Sequence, residues 1–95
     1  MSINLTSESI LKVNSSARTR QESFGIMIAS RTAPAMCLNE DAIQIWNLCN
    51  GKNTLQIIID KLTQNFPEES KKEAEGKIIK VVNTLLNFNL IAIVN

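Results

Sequence analysis

Between Leu38 and Leu62 the apolar positions fall into two helical stripes separated by a glycine. Ala42, Ile45, Trp46 and Cys49 recur at i, i+3, i+4 and i+7, a spacing that lines one face of a helix and demands a core. Asn39 can cap that helix, and Glu40 and Asp41 suit the positive end of its dipole. Trp46 is expected to be buried between helices. Asn50-Gly51 offers left-handed residues to end helix one. Thr54 can then cap helix two, with Leu55, Ile58, Ile59 and Leu62 as its buried stripe. Asn65-Phe66-Pro67 stops helix two, because the residue before a proline disfavours helical backbone. Ser70 and Glu73 have capping-box spacing, so helix three is expected over residues 71–87. Its core face would be Ala74, Ile78, Val81, Val82 and Leu85.

Ahead of the helices the pattern shortens to strands. Ala17–Glu22 alternates small or polar with charged residues, as a solvated surface strand does. Phe24–Ala29 is rich in β-formers and is expected at the centre of the sheet, with Gly25 marking a bulge or close backbone approach. Ser30–Pro34 reads as a turn and Ala35–Leu38 as a short third strand leading into helix one. Pro34 lacks an N–H, which places this third strand at a sheet edge. Such an edge is either protected by its shortness or open to another chain. At the other end, Asn89 suits a left-handed turn, and Leu90–Val94 closes the chain as a strand or wing. Residues 1–16 are Ser- and Asn-rich and expected to be poorly ordered, with Ile10–Val13 a short strand or an anchor. The fold class that results is α+β: a winged helix-turn-helix with an N-terminal three-stranded antiparallel sheet and three helices, over residues 17–95.

Composition narrows the function classes. Ninety-five residues make one small domain, and 44% hydrophobic residues suffice for a core. The net charge of +1 gives no bulk attraction to nucleic acid or to a membrane. No apolar run is long enough to span a bilayer, and Met1–Val13 has no signal-peptide pattern. There is no histidine, which removes the usual zinc sets and histidine-based acid–base chemistry, and neither a cofactor nor a metal is expected. Cys37 and Cys49 have no paired spacing; they read as small buried hydrophobes in a cytoplasmic protein. With no phosphate loop and no clustered carboxylates, an enzyme is not expected.

The stretch around helix one resembles the PqqD family, the recognition elements for precursor peptides in ribosomal peptide (RiPP) modification. The resemblance is carried by Leu38-Asn39, Ile45-Trp46, Leu48-Cys49-Asn50-Gly51, Thr54 and Ile58…Leu62, and extends over about Ala17–Val94. Asn50 stands where the family usually has Asp, Ile57 where a capping-box Glu is usual, Lys77 where Asp is frequent and Asn89 where glycine is usual. The resemblance implies a non-catalytic peptide chaperone for natural-product or cofactor biosynthesis. Family members take the precursor's leader peptide as an added strand on strand three, its side chains against helix three. Here that groove would lie between Ala35, Met36, Cys37 and Leu38 and the flank Gly76, Ile79, Asn83 and Leu86. A modifying enzyme, often a radical-SAM protein, is the implied second partner, and a homodimer through the same edge stays open.

Two bland or competing readings stand beside this one. Ile79 and Leu86 could simply pack against the sheet, and Gly76 could be tolerated at about 1 kcal/mol relative to alanine. A winged-helix DNA-binding regulator would use helix three, which carries Lys71, Lys72, Lys77 and Lys80. Glu73 and Glu75 interrupt that charge, and the helix has no arginine, so a basic recognition face is missing.

Overall fold

The computed structural model describes residues 5–15, 17–23, 25–30 and 33–95, apart from the side chains of residues 30 and 33–35. Along them run β1 (Ile10–Val13), β2 (Arg18–Glu22), β3 (Gly25–Ser30), β4 (Ala33–Leu38), α1 (Glu40–Leu48), β5 (Asn50–Thr54), α2 (Leu55–Thr63), α3 (Glu68–Asn87) and β6 (Ile91–Ile93). The class is α+β, as expected, with two antiparallel three-stranded sheets, β2-β3-β4 and β5-β1-β6.

The expected N-terminal sheet is β2-β3-β4, with β4 at one edge. Its register places Ile26 opposite Leu38 and Ile28 opposite Met36. Strand side chains alternate between faces, so Ile28, Met36 and Leu38 turn inward. Ile28 and Leu38 are buried, and Met36 packs against the core. The other face carries Arg18, Arg20, Met27 and Cys37, by the pairs Arg20–Met27 and Met27–Cys37. Gly25 has φ 142°, and a Cβ there would sit 3.1 Å from the Leu38 carbonyl oxygen, a close approach of the kind its sequence position suggests. Phe24, Arg31 and Thr32, within the expected central strand and turn, lie outside the described residues.

The second sheet corrects the sequence reading. Ile10–Val13 is its central strand, with Leu11 opposite Ile93 and Val13 opposite Ile91. Leu11 is 0% exposed, so the folded unit begins well before residue 17. Tertiary pairing decides this: a four-residue strand gains its order from neighbours on both sides. Val94 N–H donates to Ile10 O at 2.9 Å, and the Asn95 amide bridges the Ile10 N–H and the Glu8 carbonyl. Residues 1–4 lie outside the described residues. The β5 partner is Asn50–Thr54, which composition marks as a turn; pairing with β1 extends it.

The helix caps follow the sequence more closely. Asn39 Oδ1 accepts from Ala42 N–H at 2.9 Å, and Thr54 Oγ1 from Ile57 N–H at 3.2 Å. Gly51 adopts φ 82° and Asn89 φ 58°, the left-handed residues anticipated. Helix three, however, starts at Glu68 with Pro67 at its N-cap, not at residue 71. Ser70 and Lys71 N–H groups already bond to Pro67 O, so Ser70 sits inside the first turn and no capping box forms. Proline pre-sets the extended cap, and Glu68 and Glu69 suit the positive helix end.

The three helices pack pairwise on one another, α1 also on β4 and α3 on β6. Ile45, Ile58, Val82, Leu85 and Leu90 fill the shared interior with Leu11 and Ile28. Each such side chain is worth roughly 1.5–3 kcal/mol relative to exposure. Trp46 is a correction in degree: it is half-buried and leans on the core rather than lying inside it.

Candidate peptide-binding site

Among the described residues four strands form the edges of the two sheets, and they differ in chemistry. β2 exposes Arg18, Arg20 and an Arg20–Glu22 ion pair at 2.5 Å, charges of the kind that guard an edge against pairing. β5 is polar, and Asn53 Nδ2 turns back to donate to Leu48 O at 3.0 Å. β6 is only three residues long. β4 is six residues, Ala-Pro-Ala-Met-Cys-Leu, with no charge. Among the described residues it pairs only with β3, so its other side presents backbone donors and acceptors, except at Pro34, which has no N–H.

Where β4 ends, a cleft of about 710 Å³ opens among α1, the end of α2 and α3. Asn39, the residue after β4, forms part of its lip. Ile45, Leu62, Ala74, Ile78 and Val81 give it an apolar lining, with Phe66 beside them. Phe66 is 45% exposed, a large aromatic surface without full cover. Asp41, Glu73, Lys77 and Lys80 also border it, two charges of each sign. Lys77 pairs with Glu73 at 3.6 Å in a solvated i,i+4 pair that stabilises little.

The expected site residues lie on β4 and α3 and differ in exposure. Met36 is half-buried, Leu38 is core, and the Ala35 side chain lies outside the described ones. Cys37, read as buried, is exposed, because the register turns it to the outer face of the sheet. Leu86, read as part of an outward flank, is 6% exposed and belongs to the core. The apolar arc of α3 is wide because the helix meets α1, α2 and β6 together. Ile79 is half-buried, while Asn83 and Gly76 are exposed, with open space where a Gly76 Cβ would point. None of the seven whose side chains are described lines the cleft. Its α3 wall is instead Ala74, Ile78 and Val81, which the periodicity assigned to the core. A small residue at 74 beside an aromatic ahead of Pro67 was the available signal for a hollow there.

The thiols divide sharply. Cys49 is 1% exposed, its Sγ donates to Ile45 O at 3.2 Å, and burial pushes its pKa up to about 12. That fits a small core hydrophobe, as expected, and leaves no thiolate near neutral pH. Among the described residues no three His, Cys, Asp or Glu side chains gather to hold a metal, and no helix is long and apolar enough to cross a membrane.

The architecture is shared with a solved lasso peptide synthetase B1, a structure complexed with the leader peptide. The TM-score is 0.72 at 18% identity, over 88% of this chain and 99% of that one. The sequence pattern of coenzyme PQQ synthesis protein D (PqqD) matches residues 26–91, and the chain belongs to that family. No curated protein matches the chain.

Proposed function

We propose that this protein is a non-catalytic peptide carrier. It takes the leader segment of a ribosomally made precursor as a fourth strand on β4 and presents the remainder to a modifying enzyme. The observation that carries this reading is the uncharged six-residue edge of β4, beside edges that are charged, polar or short. Family membership supports it, and so does the fold shared with a synthetase component solved with a leader peptide. Strand addition draws affinity from main-chain hydrogen bonds and specificity from side chains beside the edge.

In this reading the leader's inward side chains meet α3, which offers two shoulders. One carries Gly76, Ile79 and Asn83, the other Ala74, Ile78 and Val81. The enzyme that receives the complex is of the radical-SAM class, the complex forms in the cytoplasm, and a second copy of the chain competes for β4 when no leader is present. The test is calorimetric titration with the leader of a precursor encoded beside this gene. N-methylation of alternate leader amides should abolish binding, because each methyl removes a ladder donor. Tight binding indifferent to N-methylation would refute strand addition.

A further inference from the structure

β5 opens on Asn50-Gly51, the chain's only asparagine followed by a glycine. We infer that Asn50 is a modification site: it deamidates spontaneously in the folded protein, and the fold accepts an aspartate there but not an isoaspartate. The reaction needs a backbone nitrogen, an electrophilic side-chain carbonyl and room between them. Gly51 supplies the nitrogen and has no side chain to block its approach. Its φ of 82° is one that a side chain would strain, so the fold itself requires glycine beside Asn50. Asn50 is exposed, so water reaches it.

The surroundings favour the attack. Asn50 Oδ1 accepts from the Lys52 N–H at 3.0 Å. Negative charge develops on that oxygen as Cγ is attacked, and a donor already in place lowers the barrier. Lys12 is the ladder partner of Asn50, and its side chain lies across Gly51, with Cδ 3.3 Å from where a Gly51 Cβ would stand. Positive charge from Lys12 and Lys52 eases loss of the Gly51 amide proton. Gly51 N bonds to Asn50 Cγ, and the bond from Cγ to Nδ2 breaks. Ammonia leaves with that proton, and a cyclic imide remains. Water then opens the imide on either side, giving aspartate or isoaspartate.

The two products meet β1 differently. An aspartate keeps the Lys52 N–H bond, now charge-assisted, and faces Lys12 across the ladder as an opposite charge. It also adds a charge to the β5 edge, a further guard against pairing. Isoaspartate puts an extra carbon into the β5 backbone at the Lys12–Asn50 pair and disturbs the register there.

The experiment is prolonged incubation of the folded full chain at mildly alkaline pH. Peptide mapping with electron-transfer fragmentation then locates each new acid and separates aspartate from isoaspartate. Position 50 should convert first, several-fold ahead of Asn14, which precedes serine. The fraction carrying isoaspartate, isolated by ion exchange, should melt below the starting protein, and the aspartate fraction should not. Asn50→Asp should melt at or above wild type at low salt, and Lys12→Gln should remove any gain. Conversion at position 50 that occurs in denaturant but not in the folded chain would overturn the inference. So would Asn50→Asp melting well below wild type, or isoaspartate at position 50 without a change in melting.

Discussion

The two sheets are the same size and have the same antiparallel pairing, yet they are used differently. In β5-β1-β6 the central strand carries fully buried Leu11, and the chain end is fastened back to it through Val94 and Asn95. In β2-β3-β4 the burial is one-sided: Ile28 and Leu38 face the core, while Arg18, Arg20 and Cys37 face solvent. Both sheets bury one face, Lys12 and Ala92 being exposed on the other side of β1 and β6. The difference lies at the edges: β5 is polar and β6 short, whereas β4 is uncharged and six residues long, the edge proposed above to take a partner.

The largest effect should come from breaking β5-β1-β6. Leu11→Ala removes a fully buried side chain at the centre of β5-β1-β6 and should cost about 2–5 kcal/mol. At roughly 4–8 °C per kcal/mol for a domain of this size, the melting temperature should fall by about 10 °C or more. A melt shifted by only a few degrees would mean that residues 10–13 are peripheral after all.

A smaller loss is expected at the start of β3, where Gly25 lies beside the end of β4. Gly25→Ala places a Cβ 3.1 Å from the Leu38 carbonyl at φ 142°. The strain should cost about 1–3 kcal/mol, read by denaturant titration. An unchanged midpoint would show that the backbone there relaxes freely.

The cysteines sharpen the contrast between the open sheet face and the interior. Cys37 should alkylate in the folded protein, and Cys49 only on unfolding, as seen by mass spectrometry. Burial raises the Cys49 pKa from 9.0 to about 12. The folded state therefore holds its proton longer than the unfolded state does, and the stabilisation present below pH 9 is lost as pH rises toward 12. The loss is at most about 1.4 kcal/mol per pH unit. Cys49→Ala should show a flatter alkaline decline than wild type; parallel curves would contradict the assignment. Smallest of all, Arg18→Ala and Thr19→Ala on exposed β2 should stay within about 0.5 kcal/mol of wild type in melts.

Much of this contrast was legible in the residues, and the gaps have physical causes. Asn39, Thr54, Gly51 and Asn89 signal their positions because caps and left-handed turns depend on local chemistry. The edge position of β4 followed from Pro34 in the same way. By contrast, β5 is written in turn residues and becomes a strand only by pairing with β1, a contact between distant parts of the chain. The start of α3 departs from its sequence signal because Ser70 and Glu73 satisfy a motif that Pro67, three residues earlier, forestalls. Leu86 is buried where an outward flank was expected because periodicity gives the centre of an apolar stripe, and only packing gives its width.

The central claim is that β4 alone, among four edges, accepts a peptide strand. Amide hydrogen exchange with and without bound leader peptide tests it most directly. Exchange should slow at alternate amides of Ala33–Leu38, Pro34 having none, and stay unchanged along β2, β5 and β6. Protection appearing at β2 or β6 while β4 exchanges as before would contradict it.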